Sequence, residues 1–178
     1  MRLYEKRGYH RVTVEEICRE ASVCKKTFYN HFKSRDQIVL EYFLQNDLHF
    51  KEVGDRLSQL GTSKERFAAF REALVARVLE QGLFVLKPVY YSQIAPSAHS
   101  SRMGRRRRPI HAVLERLVEE GQKRGEIRTD RTSHEIAEAI RFSFRGIMYE
   151  WCLQDGKLDL EKATKNMMEL LTDAVLKR

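Results

Sequence analysis

Apolar residues recur along this chain at spacings of three and four, and no segment alternates as a half-buried strand would. That period predicts helices near 1–7, 13–21, 25–32, 35–52, 63–81, 88–95, 109–124, 133–154 and 159–177. Nine helices and no sheet define an all-α fold. Helix starts carry a chemical mark. Thr13–Glu16, Ser34–Gln37 and Thr62–Glu65 have the form of a capping box, in which a hydroxyl accepts from an orphan amide while the acid or amide side chain reaches back. Asp130, Ser133 and Asp159 are further N-cap candidates. Gly8, Gly54, Gly61, Gly82, Gly125 and Gly156 follow or interrupt periodic runs, as helix-ending glycines do.

Short, closely connected helices precede the stretch 44–61, and long ones follow it. The expected division is a small domain over 1–50 and a larger helical domain over 51–178. A unit of about 50 residues is marginal alone and should pack through the helix that begins at Arg35.

Composition removes several classes of function. The chain has 178 residues, 42% of them apolar, and the apolar runs fall short of a membrane span. The polar start from Met1 to His10 argues against a cleavable signal. Cys18, Cys24 and Cys152, odd in number and without a C-x-x-C pair, point to a reducing, cytoplasmic setting. The six histidines (10, 31, 49, 99, 111 and 134) are scattered, and no metalloprotease helix, phosphate-cradling loop or nucleophile elbow occurs. No catalytic residue, metal site or cofactor is therefore expected. The net charge of +8 favours an anionic partner without choosing among nucleic acid, membrane surface and acidic ligand.

Its distribution is more telling. Residues 1–50 hold nine Lys+Arg against seven Asp+Glu, whereas 98–125 alone hold eight against three. Within the first domain, the helices over 13–21 and 25–32, joined by Ala21-Ser-Val-Cys24, form a helix-turn-helix candidate. Val14, Ile17, Cys18 and Ala21 give the first a buried face, while Phe28 and Phe32 turn inward from the second with Val23. Between Ala21 and Arg35 there are four cations and no acid, an electrostatic footprint for phosphate. Periodicity alone leaves open that Lys25 and Lys26 merely form a solvated face.

The order of residues goes further. Gly8-Tyr9, Thr13-Val14, Ile17, Ala21 and Val23, followed by Lys25-x-Thr27-Phe28-Tyr29-x-His31-Phe32-Lys33-Ser34-Arg35-Asp36, resembles the DNA-binding domain of the TetR (tetracycline repressor) family. The resemblance covers the N-terminal region; beyond residue 50 it is one of helix pattern and length. It implies a helix-turn-helix domain followed by a larger effector-binding and dimerisation domain. It also implies that Thr13 caps a helix whose N-terminus meets a phosphate, and that Tyr29 and His31, with Lys33 and Arg35 beside them, contact the backbone. Lys25, Lys26, Thr27 and Asn30 would face the major groove. Three departures stand out. Ser22 replaces a turn glycine, Cys24 replaces a hydroxyl cap, and Lys26 adds a long cation where a small residue is usual. Cys24, a thiol at a helix N-terminus, also invites a redox reading beside that of a tolerated small residue. The family's first helix is usually longer than the stretch available before Gly8.

By the same resemblance the last two helices pair with a second copy, through Ile140, Phe144, Ile147, Met167, Leu170, Leu171 and Ala174, though a single unit could also use both apolar stripes as core. The helices between enclose an effector cavity in this family, for which Phe70, Leu74, Tyr90, Tyr91, His111, Met148 and Trp151 are the candidates, though such a set also reads as plain core. Arg105, Arg106, Arg107 and Arg108 precede Pro109 at a helix start, where cations oppose the helix dipole. They are either a solvated run or a dock for an acidic effector such as a carboxylate or phosphate-bearing metabolite. The expected protein is a homodimeric regulator of a double-stranded DNA operator, by the family's habit a repressor released by a small molecule. The alternatives are a regulator without an effector, an all-α enzyme, or a basic protein of RNA or membrane surfaces.

Overall fold

The computed structural model describes residues 2–45, 49–94 and 108–177. These residues form ten α-helices: α1 (Arg2–Arg7), α2 (Val14–Glu20), α3 (Lys25–His31), α4 (Arg35–Gln45), α5 (His49–Ser58), α6 (Ser63–Gln81), α7 (Leu83–Ile94), α8 (Pro109–Lys123), α9 (Ser133–Leu153) and α10 (Leu160–Val175). A 3₁₀ turn, Tyr9–Arg11, follows α1. Among the described residues there is no strand, only an isolated antiparallel bridge between Ile127 and Leu176. No helix among them is long and apolar enough to cross a membrane.

By packing, α1–α4 and α7 form one compact unit, while α5, α6 and α8–α10 form another. The first is built on Tyr4, Tyr9, Val12, Val39, Val85 and Val89. Two of these belong to α7, so a helix that sequence assigns to the larger domain packs on α4. The second unit buries Phe67 and Phe70 of α6, Val113, Leu114 and Leu117 of α8, and Ile136, Ile140 and Phe144 of α9. Buried Arg66 ties three elements together: its guanidinium donates to the carbonyls of Ser58 (2.7 Å) and Leu60 (2.8 Å) and to the Glu120 carboxylate (2.6 Å).

Several boundaries differ from the sequence reading, each for a local reason. The helix expected over 35–52 ends at Gln45, and a separate α5 runs on to Ser58. Gly54 therefore lies inside a helix instead of ending one. A Cβ there would stand 2.8 Å from Val113 Cγ2, so the glycine serves the close approach of α5 and α8. α7 begins at Leu83, five residues before the expected start, with Pro88 inside it. Burial of Val85, Leu86 and Val89 outweighs the amide that proline lacks. The capping boxes at Thr13 and Thr62 form as expected, and Asp159 caps α10. The start of α9 is capped by Thr132 with Glu135, instead of by Asp130 or Ser133. At α4, Gln37 donates its amide to Ser34 Oγ (3.3 Å), while its side chain accepts from Lys33 N–H (2.8 Å).

Ser22 adopts φ 54°, the left-handed conformation in which a Cβ is disfavoured. Ser22→Gly is expected to stabilise the head by about 0.5–1 kcal/mol, the relief exceeding the added chain entropy. Thermal melting checks it, with duplex affinity unchanged.

Candidate nucleic-acid interface

α2 and α3 pack at the turn Ala21–Cys24, with Cys18 and Phe28 buried between them and Phe32 half-buried behind. Val23, expected inward, is instead exposed at the turn. With Phe28 anchoring its inner side, α3 turns Lys25, Lys26, Tyr29 and Asn30 outward, with His31 and Lys33 exposed at its end. Tyr29 is 56% exposed, its ring set edge-on against Phe28 at 5.2 Å, so packing fixes the ring while the hydroxyl reaches solvent. Thr27 is half-buried, and its hydroxyl meets Cys24 Sγ at 3.3 Å.

The cap of α3 is weak, as sulfur's poor acceptor character implies: the helix amides lie near Cys24 Sγ without forming a capping hydrogen bond. Its thiol is held below the ordinary cysteine range, first by the Thr27 hydroxyl and then by nearby backbone amides. At α2, the Thr13 hydroxyl accepts from Glu16 N–H at 3.2 Å, and the Glu16 carboxylate accepts from Thr13 N–H at 2.9 Å. That carboxylate also pairs with Arg7. The box thus satisfies two of the amides at this helix start, those of Thr13 and Glu16.

Arg35, expected beside the backbone contacts, has partners within the head: its guanidinium donates to the carbonyls of Val12 (2.7 Å) and Tyr9 (3.2 Å) and lies 4.7 Å from the Tyr9 ring centroid. The Tyr9 hydroxyl donates to Asp36, and the Tyr4 hydroxyl lies 3.4 Å from the Arg35 carbonyl. Burial pushes the Tyr4 phenol up to about 12 and that of Tyr9 higher still, the latter helped by its bond to Asp36. This knot fixes the start of α4 against the segment that carries Thr13.

The other expected sets separate. Ile140 and Phe144, assigned by resemblance to a dimer contact, are 1% and 3% exposed in the single chain and belong to its core. Ile147, Met167 and Leu171 are half-buried, Ala174 is exposed, and Leu170 is 73% exposed. α9 also carries a second apolar face, Phe142, Gly146, Tyr149 and Leu153, opposite the buried one. Of the effector candidates, Phe70, Met148 and Trp151 are buried in the second unit, and Phe70 stacks edge-on against Phe144 at 6.1 Å. Leu74 and His111 are half-buried there, whereas Tyr90 and exposed Tyr91 belong to the first unit. An open groove lined by Lys64, Arg71, Glu72, Lys165, Met168 and Thr172, between α6 and α10, contains none of these candidates. Arg105, Arg106 and Arg107 lie outside the described residues; Arg108 is the N-cap of α8.

A helix-turn-helix head with an outward cationic face, joined to a larger helical part, is the architecture of a DNA-binding regulator. Residues 1–42 match the family described as "Bacterial regulatory proteins, tetR family", and residues 60–175 match "Tetracyclin repressor-like, C-terminal domain". The chain belongs to the tetR family of transcriptional regulators, which are not enzymes. It is 21% identical over 170 residues to the fatty acid metabolism regulator protein of Bacillus subtilis, covering 94% of this chain and 87% of that one. The structure of Thermus thermophilus FadR, a repressor in complex with lauroyl-CoA, superimposes with TM-score 0.80 at 22% identity, covering 100% of this chain and 92% of that one. A transcriptional regulator from Saccharomonospora viridis in complex with choline gives TM-score 0.70 at 21% identity, with coverages of 99% and 93%.

Proposed function

We propose that this chain is a cytoplasmic, homodimeric repressor that reads a palindromic operator through α3 and is released by an anionic small molecule. The observation that carries the reading is the outward face of α3, on which Lys25, Lys26, Tyr29 and Asn30 are exposed together above the buried Phe28. Lys26 and Asn30 suit base edges, lysine for guanine and asparagine for adenine, while Tyr29 and His31 suit phosphates.

Two copies would meet through the outer apolar face of α9 and through Met167, Leu170 and Leu171 of α10. Ile140 and Phe144 support that face from within. The division of labour follows: a DNA-reading domain over about the first 50 residues and an effector and dimer domain beyond it. The effector alters binding by favouring a spacing of the two heads that no longer matches the operator.

Relatives of this fold bind chemically opposite ligands, an acyl-CoA and choline. Residues 98–125 carry eight Lys+Arg against three Asp+Glu; Arg116, Lys123 and Arg124 among them pair with Asp55, Glu119 and Glu126, and the others, Arg102 and Arg105–Arg108, support a phosphate- or carboxylate-bearing effector of the acyl-CoA type over a cation.

Titration of duplexes bearing the preferred sequence tests both parts. Tyr29→Phe is expected to weaken all sequences alike, while Lys26→Ala and Asn30→Ala relax preference at particular base pairs by about 1–3 kcal/mol. The reverse pattern would overturn the assignment. Lauroyl-CoA, and not choline, is expected to release the duplex.

A further inference from the structure

Lys25 opens α3 among the cations that face DNA, yet its ammonium is already engaged. It forms an ion pair with the carboxylate of Glu15, the second residue of α2. Both side chains are more than half exposed, so the pair lies on the surface of the head. The Lys25 hydrogen bond holds the Glu15 carboxyl below its usual range, and Glu15 raises Lys25 in turn. The neighbouring acid, Glu16, has a different task, closing the cap at Thr13 and pairing with Arg7. A carboxylate against an exposed lysine offers it the same kind of acceptor, an anionic oxygen, as a DNA phosphate does.

We propose that Glu15 is a specificity-determining residue: in the DNA-free head its carboxylate occupies Lys25, and a duplex recruits Lys25 only by offering more than a single phosphate contact. The inference rests on the reading of α3 as the DNA-facing helix. An exposed pair of this kind is weak, a bias of about two- to fivefold. A lone phosphate contact exchanges one exposed pair for another and leaves the Glu15 charge facing the backbone. A guanine edge offers lysine two acceptors, O6 and N7, and offsets the exchange. Glu15 thus withholds Lys25 from wrong sequences and yields it to the right one. The gain lies in discrimination, achieved by weakening the competitor.

The test uses the full chain and a mixed-sequence duplex without a palindrome, titrated across salt. Glu15→Gln is expected to bind this duplex about two- to fivefold more tightly at low salt. Its salt slope is expected to steepen by about 0.9, the signature of one added phosphate contact. In a Lys25→Ala background the same substitution is expected to change neither quantity. Unchanged affinity and slope for Glu15→Gln would overturn the proposal. Tightening that persists without Lys25 would also overturn it, since Glu15 would then act as a general repellent. Lys26→Ala serves as the control for the underlying reading: if it leaves duplex binding and slope untouched, the α3 assignment fails, whatever Glu15 does. Glutamine preserves the side-chain shape and leaves the Thr13–Glu16 cap intact, so the melting temperature is expected to fall only slightly, by what the lost surface pair and first-turn charge contribute.

Discussion

A glutamate at Phe142 or Leu170 is expected to convert a dimer into a 21.0 kDa monomer and to weaken operator binding by about two to four orders of magnitude. Within one protomer these side chains are 54% and 73% exposed, so the substitution removes no intramolecular core contact and the protomer's melting should hardly change. Phe142 has Arg141 over its ring at 4.3 Å, and its exposed neighbours along α9 are Gly146, Tyr149 and Leu153. Burying a carboxylate in such a face costs a dimer heavily, because its desolvation outweighs what a neighbouring cation such as Arg141 returns. Ile140→Ala makes the contrast. Buried in the protomer core, it should cost about 2–4 kcal/mol of stability, with any loss of dimer following from that. Sedimentation and thermal melting together separate the two outcomes. A glutamate variant that remains dimeric would refute the outer α9 face as the interface.

Arg35→Ala carries the second large effect. The guanidinium holds two backbone carbonyls and covers the Tyr9 ring, and its side chain is partly exposed, so the expected loss is about 2–3 kcal/mol. Duplex affinity should fall with it, because Val12 immediately precedes the Thr13 cap. Arg35→Lys distinguishes a clamp from a phosphate contact. A lysine keeps the charge but cannot bond both carbonyls and stack at once. A clamp predicts a lower melting temperature for this variant as well; a phosphate contact predicts full stability with affinity largely rescued.

Most of the helices were legible in the sequence because caps and glycines are local signals. Thr13–Glu16 and Thr62–Glu65 act within four residues, and Gly8, Gly82, Gly125 and Gly156 adopt the positive φ that helix-ending glycines take. What escaped was set by tertiary contact. Gly54 resembles a stop until α8 is placed against it. The inner face of α10 is Leu160, Thr164, Met168 and Thr172, and the two threonines hid it from hydropathy. Thr164 is tolerated inside because its hydroxyl donates to the Leu160 carbonyl at 2.7 Å. The apolar residues of α10 assigned by resemblance to a dimer contact, Met167, Leu170 and Leu171, lie half-buried or exposed outside that inner face.

The head shows the same limit. A helix forms where the resemblance implies one, with Lys25, Lys26 and Asn30 outward and Thr27 half-buried against Cys24, and Ser22, standing in place of a turn glycine, is left-handed. Sequence placed Arg35 with the cations of the acid-free stretch, but folding returns it to Tyr9 and Val12. It also brings Glu15, ten residues earlier, onto Lys25, so the stretch without acids does not remain a surface without acids. Charge counted along a chain and charge met by DNA are different quantities.

Selection of bound duplexes from a random-sequence pool by the full-length protein tests the central claim most directly. The account predicts enrichment of one palindrome, with half-site centres about one helical turn, 10–10.5 base pairs, or a multiple of it apart. Lys26→Ala and Asn30→Ala should each blur defined positions within both half-sites. Recovery of unenriched sequence, or of a motif that substitutions on α3 leave unchanged, would contradict it.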